Sequence, residues 1–456
     1  MLIANRVMRP LVRPSNRMRA SSSCFRYGYV LIAAVCVACA TPGAENVSPA
    51  VAMTADADLQ HYQLRGLESQ IQRMPQGAER DYFNGMLAAR SGRFGAAIAQ
   101  LNQALPHLRE SAPKRAAMAL EAIATAYRAD NRYGDAAHAY AELSDRFADQ
   151  LDRFPSDDAA LARILSGTPP QSISWNGPVK LKTSKNPIGS RVAELVVNGV
   201  RGLWLLDTGA NQSVVSRTFV ERLGVTPLQG VASVGSGLTG RKSSLRAAVL
   251  PTMQVGGAVL TNAVLVVLDD ENLRIGSGPD AYQIDAVLGY PILKALGVVT
   301  FTRDEFRAGE AAEANGRGVR MYMRGLTPAI ECDVEGRPLL FTLDTGASST
   351  DLSVRYYELF RAQADSWKKQ VVETAGAGGS SKHDVYIQPR LVMNSGTNTV
   401  TLNDVSILPV HMNAAIDVLF GNLGQDFVDG FETFSLNFST MTFSLGAPLH
   451  RRLSTP

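Results

Sequence analysis

The sequence is poor in cysteine and histidine and carries almost no net charge. Three of its four cysteines, Cys24, Cys36 and Cys39, precede residue 40, so we expect no structural disulfide in the mature chain. A formal net charge of +3 over 456 residues gives no reason to expect nucleic acid as a partner. The six histidines are scattered without an HExxH pair, and we predict no metal site and no cofactor.

The first 40 residues have the composition of a secretion signal. Six arginines precede an apolar run at 29–38 that is too short to span a membrane comfortably. Ala38-Cys39-Ala40 fits ordinary signal peptidase, whereas Cys36-Val37-Ala38-Cys39 resembles a bacterial lipobox with Cys39 lipidated. We favour lipidation, and hence an exported, periplasmic lipoprotein anchored to a membrane. An uncleaved anchor and a start at Met18 stay open.

Residues 58–165 show the alanine-rich, 3.6-residue periodicity of helices, between a tether at 41–57 and a polar linker at 152–185. Two segments resemble tetratricopeptide repeats. The first contains Gly85, Ala88, Gly92, Phe94, Ala97, Leu101 and Ala104, and the second contains Ala124, Tyr127, Tyr133, Ala136 and Tyr140. The offset between them exceeds the usual period of about 34, so we predict a loop insertion between Pro106 and Pro113. Such arrays often bind protein partners, and a packing domain without a ligand is the alternative.

A six-residue sequence occurs twice, with one difference, in the second half of the chain. Leu205-Leu206-Asp207-Thr208-Gly209-Ala210 recurs as Thr342-Leu343-Asp344-Thr345-Gly346-Ala347. The turn glycines Gly199 and Gly336, which precede the motifs, are separated by the same interval as the two aspartates. Each copy is therefore predicted to be a β-hairpin that leads into an Asp-Thr-Gly loop.

Two apolar residues and a glycine follow each copy. Val287-Leu288-Gly289 follows the first aspartate, and Leu419-Phe420-Gly421 follows the second at a similar separation along the chain. A single Asp-Thr-Gly is also a common turn composition. Two copies, each followed by a similar second motif, make an ordinary turn the weaker interpretation.

This pattern resembles the retropepsin-like aspartic peptidases, including their bacterial members, over about residues 172–446. In that family, Asp-Thr-Gly-Ala and the later apolar-apolar-Gly segment form one psi-shaped active-site loop per lobe. The helical periodicity predicts an all-α N-terminal domain, and the resemblance implies that two all-β lobes follow it, at 172–312 and 313–448, in a bilobal acid-protease fold. Because one chain holds both lobes, we expect the monomer to be competent.

The resemblance implies that Asp207 and Asp344 are the catalytic dyad of an aspartic endopeptidase acting on peptides or proteins. The two carboxyl groups of such a dyad lie so close together that they share one proton. The ionised carboxylate takes a proton from water, while the protonated carboxyl polarises the scissile carbonyl and later protonates the leaving nitrogen. A catalytically inactive peptide-binding or scaffold protein with the same fold is the alternative.

Further residues are implied to support the dyad or to bind the substrate. The supporting residues are Thr208, Gly209, Thr345, Gly346, Gly289 and Gly421, and the flap residues are Gly235, Ser236, Gly237, Gly376, Ala377 and Gly378. A plain surface loop is the alternative for each flap segment. Ala210 and Ala347 lack the hydroxyl that pepsin-like enzymes carry at this position, so we expect an activity optimum in the weakly acidic to near-neutral range.

Overall fold

The computed structural model describes residues 47–235, 242–276, 281–309, 318–376, 379–412 and 417–449. Some of the predicted features lie outside these ranges: the leader at 1–40 with Cys39, the first part of the tether, the lobe boundary at 312–313, and the flap residues Ser236, Gly237, Ala377 and Gly378. In the described ranges a helical region precedes a large mixed β region, which confirms the predicted order of the two fold classes. No helix within them is long and apolar enough to cross a membrane.

Most of the long helices lie in the N-terminal region, and shorter helices lie between the strands. The helices are α1 (Pro49–Gln60), α2 (Leu64–Gln72), α3 (Ala78–Arg90), α4 (Phe94–Ser111), α5 (Pro113–Ala129), α6 (Tyr133–Phe147), α7 (Ser156–Ile164), α8 (Arg217–Arg222), α9 (Tyr290–Ala295), α10 (Val354–Leu359), α11 (Arg361–Ala364) and α12 (Gln425–Val428).

Two helix pairs in the N-terminal region are joined by the same kind of turn. α3 and α4 are connected through Gly92, and α5 and α6 through Asn131, with φ values of 69° and 55°. Glycine and asparagine adopt this left-handed conformation more readily than other residues. A Cβ atom on Gly85 would lie 2.6 Å from Cγ of Leu101, so α3 and α4 approach at a distance that requires glycine there.

The predicted loop insertion between Pro106 and Pro113 is wrong. Pro106 lies inside α4, which continues to Ser111, and Pro113 is the first residue of α5. Leu105 and Leu108 are buried on either side of the proline, so packing of the apolar face offsets the missing backbone donor. The additional residues of the first repeat therefore lengthen a helix.

Parts of the predicted tether and linker belong to the folded core. Residues 49–57 of the tether lie in α1, where Ala55 and Leu59 are buried. Residues 156–164, where the predicted helical region and the predicted linker overlap, form α7, in which Leu161 and Ala162 are buried. Strands occupy the end of the linker. Short helices of this kind are stabilised mainly by tertiary packing, which a composition argument does not detect.

The β region contains two large mixed sheets. The first sheet contains β1 (Ser172–Trp175), β2 (Val179–Lys185), β3 (Arg191–Val197), β4 (Val200–Leu206), β5 (Ser213–Ser216), β6 (Ala232–Gly235), β7 (Lys242–Val255), β8 (Ala258–Leu268) and β11 (Ala286–Leu288). The second sheet contains β14 (Val319–Arg324), β15 (Thr327–Val334), β16 (Arg337–Leu343), β17 (Asp351–Leu352), β18 (Lys368–Gly376), β19 (Gly379–Ser395), β20 (Asn398–Ile407) and β21 (Gly421–Leu423). A separate pair consists of β9 (Arg274–Ile275) and β10 (Tyr282–Gln283).

A shared antiparallel sheet joins the two large sheets. It combines β2 and β14 with β12 (Val298–Thr302), β13 (Glu305–Ala308), β22 (Thr433–Asn437) and β23 (Thr442–Leu445). At its centre β12 pairs with β22, and Phe301 stacks on Phe434 with ring centroids 4.5 Å apart. Thr300 and Ser435 hydrogen bond at 2.8 Å in the same ladder. Chain segments from both repeats therefore build one buried interface.

The helical region packs directly against the β region. Phe94 and Ala129 belong to the same apolar core as Tyr290 and Phe438. The Nζ atom of Lys294 lies 2.5 Å from the carboxylate of Asp130 at this contact. The helices are thus part of one compact unit with the sheets, because burial of these apolar side chains depends on both regions.

Candidate active site

Each Asp-Thr-Gly motif begins where a buried strand ends. β4 pairs in parallel with β11, and the amide of Asp207 donates to the carbonyl oxygen of Leu288 at 3.1 Å. β16 pairs in parallel with β21, and the amide of Asp344 donates to the carbonyl oxygen of Leu423 at 2.9 Å. The two aspartates are therefore held by equivalent strand pairs.

Reciprocal hydrogen bonds join the two motifs to each other. Thr208 Oγ1 donates to the carbonyl oxygen of Leu343, and Thr345 Oγ1 donates to that of Leu206, both at 2.7 Å. Each hydroxyl also accepts a hydrogen bond from the backbone amide of the other threonine at 3.0 Å. Both threonines are buried, so the four bonds are shielded from water. The loops of the two repeats form one connected unit.

The carboxyl groups of Asp207 and Asp344 lie close enough to interact directly. Each also packs against the glycine of the opposite motif. A Cβ atom on Gly209 would lie 2.5 Å from Cγ of Asp344, and one on Gly346 would lie 2.5 Å from Cγ of Asp207. A side chain at either glycine would displace the facing carboxyl group. The structure thus brings together the two aspartates that the repeated motif singled out.

Backbone donors hold one oxygen of each carboxyl group. The amides of the following glycine and alanine donate to Oδ1 at 2.8 and 3.1 Å in Asp207 and at 2.9 and 3.1 Å in Asp344. Burial, together with the charge of Asp344 and the hydrogen bond to it, raises the pKa of Asp207 well above its ordinary range. The two amide donors oppose that rise only in part. One protonated carboxyl beside one ionised carboxylate is the state that general acid–base chemistry at this pair requires.

The residue of the second repeat that corresponds to Gly289 is Gly424. Leu423 pairs in parallel with Leu343, as Leu288 pairs with Leu206, and the glycine follows directly in both strands. Gly421 instead lies within β21, antiparallel to Leu352. The correspondence between Gly289 and Gly421, drawn from the apolar-apolar-Gly pattern, is therefore wrong.

Both loop glycines make the same hydrogen bond to the Asp-Thr-Gly loop. The amide of Gly289 donates to Ser213 Oγ at 3.0 Å, and that of Gly424 donates to Thr350 Oγ1 at 3.1 Å. A Cβ atom on Gly289 would lie 2.4 Å from the carbonyl oxygen of Gln212. The close approach of backbone to backbone requires glycine at this position.

The side chain of Asn422, which the sequence motifs did not single out, reaches the dyad. Its Nδ2 atom donates to Oδ2 of Asp344 at 3.1 Å, and its Oδ1 atom accepts from Thr342 Oγ1 at 2.6 Å. The corresponding residue of the first repeat is Val287. The polar residue that interrupts Leu419-Phe420-Gly421-Asn422-Leu423 is the sequence signal that points to it.

Two further acidic residues beside the second loop also escaped the sequence analysis. The Asp426 carboxylate accepts hydrogen bonds from the amide and hydroxyl of Thr350 at 3.0 and 2.7 Å. Asp351 pairs with Asn422 across β17 and β21. Burial, followed by the charges of Asp426 and Asp344, raises the pKa of Asp351 to about 6.

Two hairpins occupy the positions of the predicted flaps. β6 and β7 pair up to Gly235 and Lys242, and β18 and β19 pair up to Gly376 and Gly379. The predicted flap residues Ser236, Gly237, Ala377 and Gly378 lie outside the described residues. A role of the hairpins in substrate binding stays a prediction.

The helical region reaches the first loop through a buried tyrosine. Tyr133, at the start of α6, donates its hydroxyl to Oε1 of Gln212 at 3.3 Å. Burial raises the pKa of Tyr133 to about 12, so this hydroxyl stays protonated and can donate. Among the residues that the structure describes, no group of three or more histidine, cysteine or acidic side chains is placed to hold a metal ion.

Comparison with known families agrees with the site geometry. An aspartyl protease family model matches residues 193–292, a range that contains Asp207 and Gly289. This part of the chain is therefore similar to an aspartyl protease domain, and the similarity suggests a peptidase acting on peptides or proteins. The matched range ends before the second repeat, so the part played by Asp344 rests on the geometry. A search of curated proteins found no match to the chain.

Proposed function

We propose that this protein is an aspartic endopeptidase in which Asp207 and Asp344 of one chain activate a water molecule. The observation that carries the proposal is the reciprocal bonding of Thr208 and Thr345, which fixes the two aspartates of separate repeats as one pair. The two repeats then act as the lobes of a bilobal acid-protease fold. The resemblance to retropepsin-like enzymes over both repeats supports this assignment.

Hydrolysis at such a pair needs no covalent intermediate. The ionised carboxylate takes a proton from water as the oxygen bonds to the scissile carbonyl carbon, and the protonated carboxyl gives its proton to the carbonyl oxygen. The dyad has then exchanged roles. The first carboxyl passes its proton to the amide nitrogen, the second takes a proton from a hydroxyl of the tetrahedral diol, and the C–N bond breaks. Acid and amine leave, and the dyad returns to its starting state.

Asparagine substitutions at the dyad test the proposal. Purified wild type, Asp207→Asn and Asp344→Asn are compared on casein and on a peptide library, with the exposed Asp304→Asn as the matched control. Loss of either carboxyl should lower turnover by about 10²–10⁴-fold, because each performs a proton transfer, while the control should keep wild-type turnover. If one dyad variant kept near-normal turnover, the intramolecular pair would be wrong and a homodimer using one repeat twice would replace it. A wild type that binds peptides without cleaving them would indicate an inactive peptide-binding protein.

For the helical region we propose tetratricopeptide-like repeats whose main role is to support the sheets. The repeated turn at Gly92 and Asn131 and the close contact of Gly85 with Leu101 support this interpretation. A further protein partner would have to use surface that the β region leaves uncovered.

We propose export and attachment to a membrane through a lipid on Cys39, which rests on the lipobox-like Cys36-Val37-Ala38-Cys39 sequence. Mass spectrometry of the mature N-terminus decides between the two processing patterns. An unmodified chain that begins at Thr41 would overturn lipidation and leave export standing.

A further inference from the structure

The two halves of the dyad differ at three equivalent positions around the aspartates. In the first repeat, Val287 on β11 lies between its parallel neighbour on β4 and its antiparallel neighbour on β5. In the second repeat, Asn422 on β21 lies in the same way between its parallel neighbour on β16 and its antiparallel neighbour on β17. The first trio is Leu205, Val287 and Val214, and the second trio is Thr342, Asn422 and Asp351. An apolar trio thus adjoins Asp207 and a polar trio adjoins Asp344.

The polar trio orients an amide toward Asp344. Thr342 Oγ1 donates to Asn422 Oδ1 at 2.6 Å, which leaves the Nδ2 group of Asn422 to face Asp344 Oδ2 at 3.1 Å. An amide N–H can only donate, so it favours the ionised form of the carboxyl it meets. Val287, at the equivalent place beside Asp207, has no polar side-chain atom to offer.

The remaining contacts of the two carboxyl groups are balanced. Each Oδ1 atom accepts two backbone amides at nearly equal distances. These bonds stabilise ionisation of either aspartate to a similar degree and leave the proton without a preferred side. Among the hydrogen bonds that the described residues make to the two carboxyl groups, the one from the Asn422 amide to Asp344 has no counterpart at Asp207.

Charged neighbours of Asp344 act in opposite directions. The buried guanidinium of Arg324, on β14, interacts electrostatically with Asp344 and favours its ionised form. Asp207 and Asp344 share one proton. When Asp351, on β17, is ionised, its negative charge disfavours a negative charge on Asp344. Below about pH 6, where Asp351 is mostly protonated, Arg324 and Asn422 together favour negative charge on Asp344.

We propose that Asn422 is a positioning residue that keeps the dyad's proton on Asp207 and the negative charge on Asp344. Asp344 is then the base that takes the proton from water, and Asp207 is the acid that protonates the carbonyl oxygen. This assignment rests on the proposed peptidase function. Asn422 acts through Asp344, to which its amide donates.

Asn422→Leu tests this assignment because leucine nearly matches asparagine in shape and removes the donor. The half-buried Asn398, whose amide donates to the carbonyl oxygen of Leu445 at 3.4 Å, provides the matched control Asn398→Leu in the same sheet. Loss of a hydrogen bond to a charged group corresponds to about one pH unit. Removing the donor destabilises the negative charge on Asp344, so the acid limb of kcat/KM should rise by about one pH unit in Asn422→Leu and stay in place in the control.

A second variant and a second measurement keep the outcome decisive. Thr342→Val removes the hydroxyl that orients the amide and should shift the same limb in the same direction. NMR titration of ¹³C-labelled aspartate carboxyl groups, assigned with the Asp207→Asn and Asp344→Asn variants, follows the proton without requiring activity. We expect the proton to reside on Asp207 in the wild type and to be shared more evenly between the two carboxyl groups in Asn422→Leu.

The possible results separate the two proposals. An active enzyme whose acid limb does not move in Asn422→Leu or Thr342→Val would overturn the role of Asn422 and leave the peptidase standing. A protein without peptidase activity would overturn the proposed function, and the titration would still decide which aspartate holds the proton. A proton that resides on Asp344 in the wild type would overturn the assignment in either case.

Discussion

The hydroxyl of Tyr133 lies 3.3 Å from Oε1 of Gln212 and joins helix α6 to the loop that carries Asp207. We predict that Tyr133→Phe lowers turnover, because Gln212 then loses a buried partner and the loop gains freedom. Tyr82→Phe is the matched control, since Tyr82 is a buried helical tyrosine whose hydroxyl meets Met118 Sδ at 3.7 Å. Both variants should melt at similar temperatures. Equal turnover in the two variants would show that the tyrosine contact does not support the loop.

The threonine pair should matter to both stability and turnover. Thr345→Val removes one donor to Leu206 and one acceptor for the amide of Thr208, both buried, and should cost about 2 kcal/mol of unfolding free energy. Turnover should fall as well, because the two loops lose their fixed spacing. Denaturant unfolding and peptidase assays measure the two effects. Thr345→Ser, which keeps the hydroxyl, should retain most of both properties, and failure of this rescue would point to lost packing instead.

We predict that Asp351→Asn stabilises the folded protein by an amount that depends on pH. The folded-state pKa of Asp351 is about 6, above its ordinary value of 3.8. The contribution of protonated Asp351 to the free energy of unfolding is therefore fully present below about pH 4 and is lost as the pH rises through about 6. The variant avoids this loss and should exceed the wild type by on the order of 2 kcal/mol at pH 7. Thermal melts from pH 3 to pH 8 test this. An advantage of the same size at every pH would contradict the prediction.

Serine at the fourth position of each motif should move the activity profile toward acid. Ala210→Ser with Ala347→Ser would introduce hydroxyl donors that stabilise ionised carboxylates, which lowers both limbs of the kcat/KM profile. Because Asn422 already donates to Asp344, we expect Ala210→Ser alone to act mainly on the basic limb, which reports loss of the proton from Asp207. The wild-type optimum should be weakly acidic to near neutral. A strongly acidic wild-type optimum, or serine variants with unmoved limbs, would show that another feature sets the proton affinity.

Specific activity should not depend on enzyme concentration. Both aspartates belong to one chain and are joined by the threonine bonds, so dilution has no subunit interface to break. Assays over a dilution series, with the mass measured by light scattering at each end, test this. A collapse of specific activity on dilution would indicate an obligate dimer.

Local sequence was sufficient to find the two aspartates and the order of the fold classes. Asp-Thr-Gly after an alternating strand is a short-range pattern, and the turn glycines and aspartates repeat at one constant interval, which relates the two copies without any knowledge of the fold. Helical periodicity in the N-terminal region is equally local. The start of helix α1, at 49–57, escaped because this short segment gains its stability from packing against the rest of the folded chain.

Tertiary pairing alone decided which residues of the second repeat stand beside the dyad. Gly421 and Gly424 both follow apolar residues, and only the parallel register of Leu423 with Leu343 selects Gly424. The same register brings Asn422 to Asp344, which lies far earlier in the chain. Strand register is set by contacts between distant segments, and a shift of one residue turns each side chain to the opposite face. The sequence by itself therefore determined that two carboxylates are presented alike, and only the folded sheets determined how their surroundings differ.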